Sequence, residues 1–248
     1  MIKTILCFGI LCSFSSVPAG ESASDKGDAI LRQVDKKLSP GSYESLRKLI
    51  NEEPGGKKKE FVMWTAKKGT DKMVTTFLSP ASEIGRSTLR VGENMWLYVP
   101  NVGKPVRITS LQSVVGGVFN NADIMQLEYH VEYRCTTLTE EAGLSILTLK
   151  ARNKSVAYDK LVMKVDKKSG FPLEVECRTA SDMLIKTLRF LEPKKFEDGA
   201  FRPSVVETES PIYKGYRSVM IYAGLKNRNF KDEVFTINYM AKIRDLRN

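Results

Sequence analysis

The chain has 248 residues, a formal net charge of +10 and one histidine. An isoelectric point near 9.3 favours anionic partners such as phospholipid headgroups or acidic protein surfaces. One histidine excludes multi-histidine zinc sites and leaves Ser-His or Cys-His catalysis to that residue alone.

The N-terminus carries Lys3, an apolar run over 4–17 and the ending Val17-Pro18-Ala19. That layout predicts a secretory signal peptide over 1–19, cleaved at the Ala19/Gly20 bond, followed by one exported domain over 20–248. The run is shorter than the roughly 20 residues of a spanning helix. Cys7 follows Leu6 and Cys12 follows Leu11, so neither sits in a lipoprotein box and no lipid anchor is expected. The expected address is the periplasm.

Ile30, Leu31, Val34 and Leu38 recur at helical spacing after Asp25, which predicts one short amphipathic helix over 25–37 with Asp25 as N-cap. Ser39-Pro40-Gly41 ends it. Residues 42–53 fit helix or strand alike, because Leu46, Leu49 and Ile50 satisfy both periods. Beyond them the pattern changes to short runs rich in β-branched and aromatic residues, separated by Gly, Pro, Asn or Asp-Lys clusters. Strands are predicted at 61–67, 72–78, 87–91, 94–99, 105–110, 131–137, 144–151, 160–166, 172–179, 184–191, 204–209, 217–222 and 234–239, with hairpin turns at 90–93 and 167–170.

Several strands alternate cleanly. Leu161, Met163 and Val165 oppose Lys160, Lys164 and Asp166, and Leu173, Val175 and Cys177 oppose Glu174, Glu176 and Arg178. A sheet of ten or more such strands curls toward a barrel or half-barrel with its apolar face inside. The fold class expected is mainly β (α+β): a curled antiparallel sheet with few helices. One short helix cannot cover its concave face, and residues 111–129, with Val114-Val115-Gly116-Gly117-Val118-Phe119 at their start, are the other candidate cover. Such a sheet either fills itself with side chains or encloses an apolar cavity.

Chemistry is sparse along the chain. His130 beside Tyr129 is the one candidate for an enzymatic role, and no phosphate-binding loop, dinucleotide fingerprint, nucleophile elbow or calcium loop occurs. No catalytic residue, metal or cofactor is therefore expected. The runs Lys57-Lys58-Lys59, Lys67-Lys68, Lys167-Lys168 and Lys194-Lys195 fall at turns and strand edges, where lysine opposes edge pairing. Nucleic acid is disfavoured by the compartment. Met63, Met73, Met95, Met163 and Met220 fall within predicted strands, where flexible thioethers suit either core packing or an adaptable apolar surface. Cys135 and Cys177 alternate onto the apolar faces of their strands, and a single disulfide and two buried thiols both satisfy the sequence.

Ser79-Pro80, Gly85, Leu89, the run Gly92-Glu93-Asn94-Met95-Trp96-Leu97-Tyr98-Val99-Pro100 and then Gly103-Lys104-Pro105-Val106-Arg107-Ile108 form a block that resembles the outer-membrane lipoprotein-sorting (LolA-like) family. Further matches follow at 119–123, Ala157-Tyr158, Val165-Asp166, Phe171-Pro172-Leu173, Lys186-Thr187-Leu188 and Phe235-Thr236-Ile237, so the likeness spans about 26–243. The apolar stretch 114–118 departs from the more polar segment relatives carry there. The resemblance implies an incomplete β-barrel covered by short helices, with a hydrophobic groove that shields lipoprotein acyl chains between membranes. The chain is then expected to work as a monomer between an inner-membrane transporter and an outer-membrane acceptor. The groove residues expected from inward alternation are Trp64, Leu89, Met95, Leu97, Val106, Ile108, Leu147, Met163, Val175, Phe190 and Ile221, with the choice of Met95 and Leu97 over Trp96 and Tyr98 left open. The alternative is a non-catalytic envelope module that docks a membrane transporter or senses lipid or stress.

Overall fold

The computed structural model describes residues 22–247, so the export signal lies outside the described residues. Helix α1 (Ala23–Leu38) starts at Ser22, not at Asp25: the Ser22 hydroxyl accepts the Asp25 N–H at 3.1 Å and the Asp25 carboxylate accepts the Ser22 N–H at 3.4 Å. This reciprocal capping box makes Asp25 the acidic partner of a cap three residues upstream.

Thirteen strands follow: β1 (Ser42–Glu52), β2 (Lys58–Lys68), β3 (Lys72–Ser79), β4 (Ser87–Val91), β5 (Asn94–Tyr98), β6 (Val106–Ile108), β7 (Tyr133–Glu141), β8 (Leu144–Ala151), β9 (Lys160–Asp166), β10 (Pro172–Arg178), β11 (Leu184–Lys195), β12 (Phe201–Glu209) and β13 (Arg217–Asn227). Short helices α2 (Asn121–Ile124) and α3 (Tyr129–Glu132) lie between β6 and β7. Strands β1 to β6 form one meander and β7 to β13 another. Pairing of β1 with β13 joins them into one antiparallel sheet ordered β6-β5-β4-β3-β2-β1-β13-β12-β11-β10-β9-β8-β7. The sheet curls without closing, the open half-barrel expected. Both predicted hairpin turns are present, with Gly92 and Gly170 in the left-handed conformation at φ 57° and 69°.

The ambiguous segment is β1. Its inward positions are Tyr43, Ser45, Arg47, Leu49 and Asn51, all buried, and this mixed polar and apolar set hides the two-residue period. The strand expected from 131 begins at Tyr133, because residues 129–132 close into α3. The strand expected over 234–239 is replaced by 3₁₀ turns at Asp232–Phe235 and Ile237–Arg247. Their apolar side chains Val234, Phe235, Met240 and Ile243 pack on the outer face of the sheet, where a cover rather than another strand buries them.

Two cores result. The concave one contains Leu49, Met63, Met73, Leu147, Met163 and Val175 and meets Leu31 and Val34 of α1. The convex one places Trp64, Ala66, Val74 and Leu89 beneath the C-terminal turns, with Phe230 edge-on to Trp64 at 6.0 Å between centroids. Leu173 leaves the apolar row and is 44% exposed, because a register shift between Pro172 and Glu174 breaks the alternation.

Cys135 and Cys177 are buried free thiols. The ladder runs Cys135, Leu149, Leu161, Cys177 across β7, β8, β9 and β10. Three inter-strand steps amount to about 14 Å, beyond the ~7 Å Cα limit of a disulfide. The disulfide alternative is therefore excluded by register. Burial raises both thiol pKa values, that of Cys177 well above the ordinary range.

Strand β7 is one edge of the sheet, and α1 lies against it. Asp28 accepts the Cys135 N–H at 2.6 Å and the Ser24 hydroxyl donates to the Cys135 carbonyl at 2.7 Å.

Candidate functional site

A hollow of about 100 Å³ remains between the concave face, the C-terminal end of α1 and the segment 118–133 that carries α2 and α3. Its floor is formed by Val175, Leu188, Phe190, Val206 and Met220 from β10 to β13. Its walls are rich in tyrosine: Tyr43, Tyr129, Tyr133, Tyr158 and Tyr222 all face it. Burial raises the phenol pKa values of Tyr129, Tyr133 and Tyr158 well above the ordinary range, so these rings stay neutral.

Local sequence explains how the cover reaches the sheet. Gly117 lies so close to β1 that a Cβ would stand 2.2 Å from Asn51 Oδ1, so the Gly116-Gly117 pair permits contact that a side chain forbids. Ser218 Oγ accepts the Val118 N–H at 2.9 Å, and Asn120 with Asp123 caps α2 by the same reciprocal box as α1. The sequence expected a cover over 111–129; the part facing the hollow is the capped half from Phe119 onward.

Cationic side chains rising from the concave face hold this cover. Lys186 donates to the Val118 carbonyl at 2.7 Å and to Asp123 at 2.5 Å. Arg90 donates to the Met125 carbonyl at 3.0 Å and pairs with Glu132. Lys67 pairs with Glu128 at 3.2 Å, and Arg47 donates to the Ile124 carbonyl at 2.9 Å. Burial lowers the Lys67 pKa, opposed by the charge and hydrogen bond of Glu128. Four strands thus reach the cover through cationic side chains, and β13 does so through Ser218.

His130 is part of the same attachment. Asp35 of α1 accepts the Tyr129 N–H at 2.7 Å and the His130 N–H at 2.9 Å, and His130 Nδ1 lies 2.9 Å from the same carboxylate. Burial raises the Asp35 pKa, partly offset by those backbone donors. Asp35, Glu128 and His130 bring ligand atoms within 4.8 Å of one another. The Asp35 oxygens already accept three contacts and the Lys67 ammonium sits on Glu128, so the cluster serves to fasten α3 to α1 and β2.

Of the groove residues expected from sequence, Val175 and Phe190 line the hollow. Met95, Leu147 and Met163 are buried in the concave core beside it, with Ile108 packed at its edge. Leu97 and Val106 pair at the far end of the same face, where Val106 is 48% exposed. Trp64 and Leu89 belong instead to the convex core. Ile221 also faces outward, since its neighbours Met220 and Tyr222 take the inward positions. Residues 63–67 and 87–90 are buried on both faces, so apolarity alone cannot orient them. Tyr43 and Arg47 are not among the expected groove residues, because β1 has no apolar stripe; the odd-numbered alternation Tyr43, Ser45, Arg47, Leu49 is the signal that turns them inward.

Comparison with known proteins places these features. A structure of a LolA superfamily protein from Nitrosomonas europaea is similar with TM-score 0.77 and 25% identity, over 86% of this chain and 98% of that one. A DUF1329 family protein from Desulfovibrio piger is similar with TM-score 0.75 and 21% identity, over 88% and 99%. A domain provisionally described as an outer membrane lipoprotein-sorting protein, from Vibrio parahaemolyticus, is similar with TM-score 0.73 and 20% identity, over 88% and 99%. No curated protein matches the sequence significantly. A family model described as "Uncharacterized protein" matches residues 69–242, beginning ahead of β3 and ending within the C-terminal turns. The chain therefore belongs to the family of that model, and its fold is that of the LolA-like lipoprotein-sorting proteins.

Proposed function

We propose that this protein is a periplasmic carrier that shields lipoprotein acyl chains or other lipid in the hollow beneath residues 118–133 and delivers them toward the outer membrane. The observation that carries the reading is an apolar floor of Val175, Leu188, Phe190 and Val206 under a cover fastened by discrete polar contacts. Each CH₂ transferred from water to such a floor gains about 0.8 kcal/mol, so affinity needs chain length and no reactive group. The hollow at about 100 Å³ is smaller than the roughly 300–1,000 Å³ of common small-molecule sites. Loading therefore requires the cover to swing outward, trading its contacts with Arg47, Arg90 and Lys186 for burial of the acyl chain. On this reading the protein is not an enzyme: His130 fastens α3 to Asp35. An inner-membrane transporter would load it and an outer-membrane acceptor unload it.

Organic extraction of protein purified from the periplasm, followed by mass spectrometry, tests the reading, together with titration by a fluorescent acyl probe. Co-purified lipid and saturable probe uptake are expected. Absence of both refutes carriage, and salt-sensitive binding to a membrane protein without lipid uptake would favour the envelope-module alternative.

A further inference from the structure

Five cationic side chains are buried among the described residues: Arg47, Lys67, Arg90, Lys186 and Arg202. Four of them have a carboxylate within reach. Lys67 has Glu128, Arg90 has Glu132, Lys186 has Asp123 and Arg202 has Asp198. Arg47, 3% exposed, has none. Its Nε donates to Ser45 Oγ at 3.1 Å, its Nη1 to the Ile124 carbonyl at 2.9 Å and its Nη2 to the Tyr43 hydroxyl at 3.1 Å, all neutral acceptors. A guanidinium carries five N–H donors and stays charged at any ordinary pH. One N–H on each terminal nitrogen is therefore left over, on a side chain that lines the hollow and lies 4.9 Å from the Tyr222 ring centroid.

A buried charge without a counter-charge is costly, and proteins otherwise pair it or neutralise it. The carboxylates that share the hollow are engaged elsewhere: Asp35 with the Tyr129 and His130 amides, Asp123 with Lys186 and the Tyr158 hydroxyl. The Arg47 charge, held on neutral acceptors alone, is complementary to an anion. The two N–H groups left over, one on each terminal nitrogen, are charged donors of the kind a carboxylate oxygen accepts.

We propose that Arg47 is a head-group site, and that the hollow takes an amphiphile with a carboxylate head at Arg47 and a single alkyl chain along Val175, Leu188 and Phe190. The inference rests on the carrier reading above and narrows its ligand class. It also accounts for the mixed lining, in which the Tyr43 hydroxyl accepts from Arg47 and the Tyr222 ring lies beside the guanidinium next to an apolar floor.

Isothermal titration of the purified protein with dodecanoate and with dodecanol, which share one chain length, tests it. The wild type is expected to bind dodecanoate at least about tenfold tighter, the scale of a charge-assisted hydrogen bond. Arg47→Met also frees the cover at Ile124 and so moves both affinities together, but it is expected to bring their ratio to about one, and Arg47→Lys to keep part of the preference. Equal affinities in the wild type overturn the assignment, as does a preference that survives in folded Arg47→Met. Should Arg47→Met not fold, the wild-type comparison still decides. Dodecanol binding without preference removes the head-group site and leaves the carrier reading standing, whereas binding of neither compound removes both.

Discussion

Replacing Gly27 by alanine sets two effects of known size against each other. Alanine in a helix interior is favoured over glycine by about 1 kcal/mol, so on an isolated helix the change stabilises. In the fold, the new Cβ would stand 2.2 Å from Cys135 Sγ and 2.8 Å from Cys135 Cβ. Either α1 rises from β7 or the strand yields, and overpacking of this kind costs about 1–3 kcal/mol. A lifted helix also strains the Ser24 and Asp28 bonds to Cys135, worth about 1 kcal/mol each. The expected net is a loss of about 1–3 kcal/mol, read as a melting temperature lowered by roughly 2–4 °C per kcal/mol for a domain of this size. Cys135→Gly removes both colliding atoms at a cost of its own, and in that background Gly27→Ala should become neutral or stabilising. The double-mutant cycle, followed by circular dichroism in urea and on heating, should show a coupling above about 1 kcal/mol. A Gly27→Ala variant as stable as the wild type, or an undiminished cost beside Cys135→Gly, would refute the close-packing argument.

Met163, fully buried in the concave core, should lose about 2–5 kcal/mol on truncation to alanine, whereas Leu173→Ala, on the bulge, should stay within about 1 kcal/mol by urea denaturation. Asp123→Ala strands the buried Lys186 ammonium and is expected to cost about 3–5 kcal/mol by the same measurement. Because burial raises the Asp35 pKa above 3.8, its contribution is full below that pH and is lost as pH rises through the folded value. The stability of the wild type relative to Asp35→Asn should accordingly fall as pH is raised from 3.8 toward neutrality, and a flat difference would contradict it. Both tryptophans, Trp64 and Trp96, belong to the convex core, so an acyl ligand in the hollow should leave tryptophan emission unshifted while Val234→Asp, under the C-terminal turns, shifts it to the red.

The strands were legible where one face is apolar and the other wet. Residues 144–151 and 160–166 have the bounds that alternation assigns, because Leu147, Leu149, Leu161 and Met163 point inward between solvated neighbours. Legibility failed where both faces are buried. Trp64 and Leu89 look as inward as Met63 and Met95 until the C-terminal turns are known to cover the outer face. It failed again where inward residues are polar, as in β1, since a strand that carries Tyr43, Ser45 and Arg47 toward the core has no apolar stripe to reveal it. Tyr43 and Arg47 reach the hollow from that strand, and the cover is held by long-range bonds such as Lys186 to Val118 that no local period encodes.

An open sheet has two margins, and each is a template on which another chain could add a strand. At β7 that template is already taken where Asp28 and Ser24 occupy the donor and acceptor of Cys135. Helix α1 thus does at this margin, with two side chains, what a further strand would do with its backbone. A foreign strand seeking to extend the sheet there must first evict the helix that also walls the hollow, so resistance to self-association and retention of the cavity share one element.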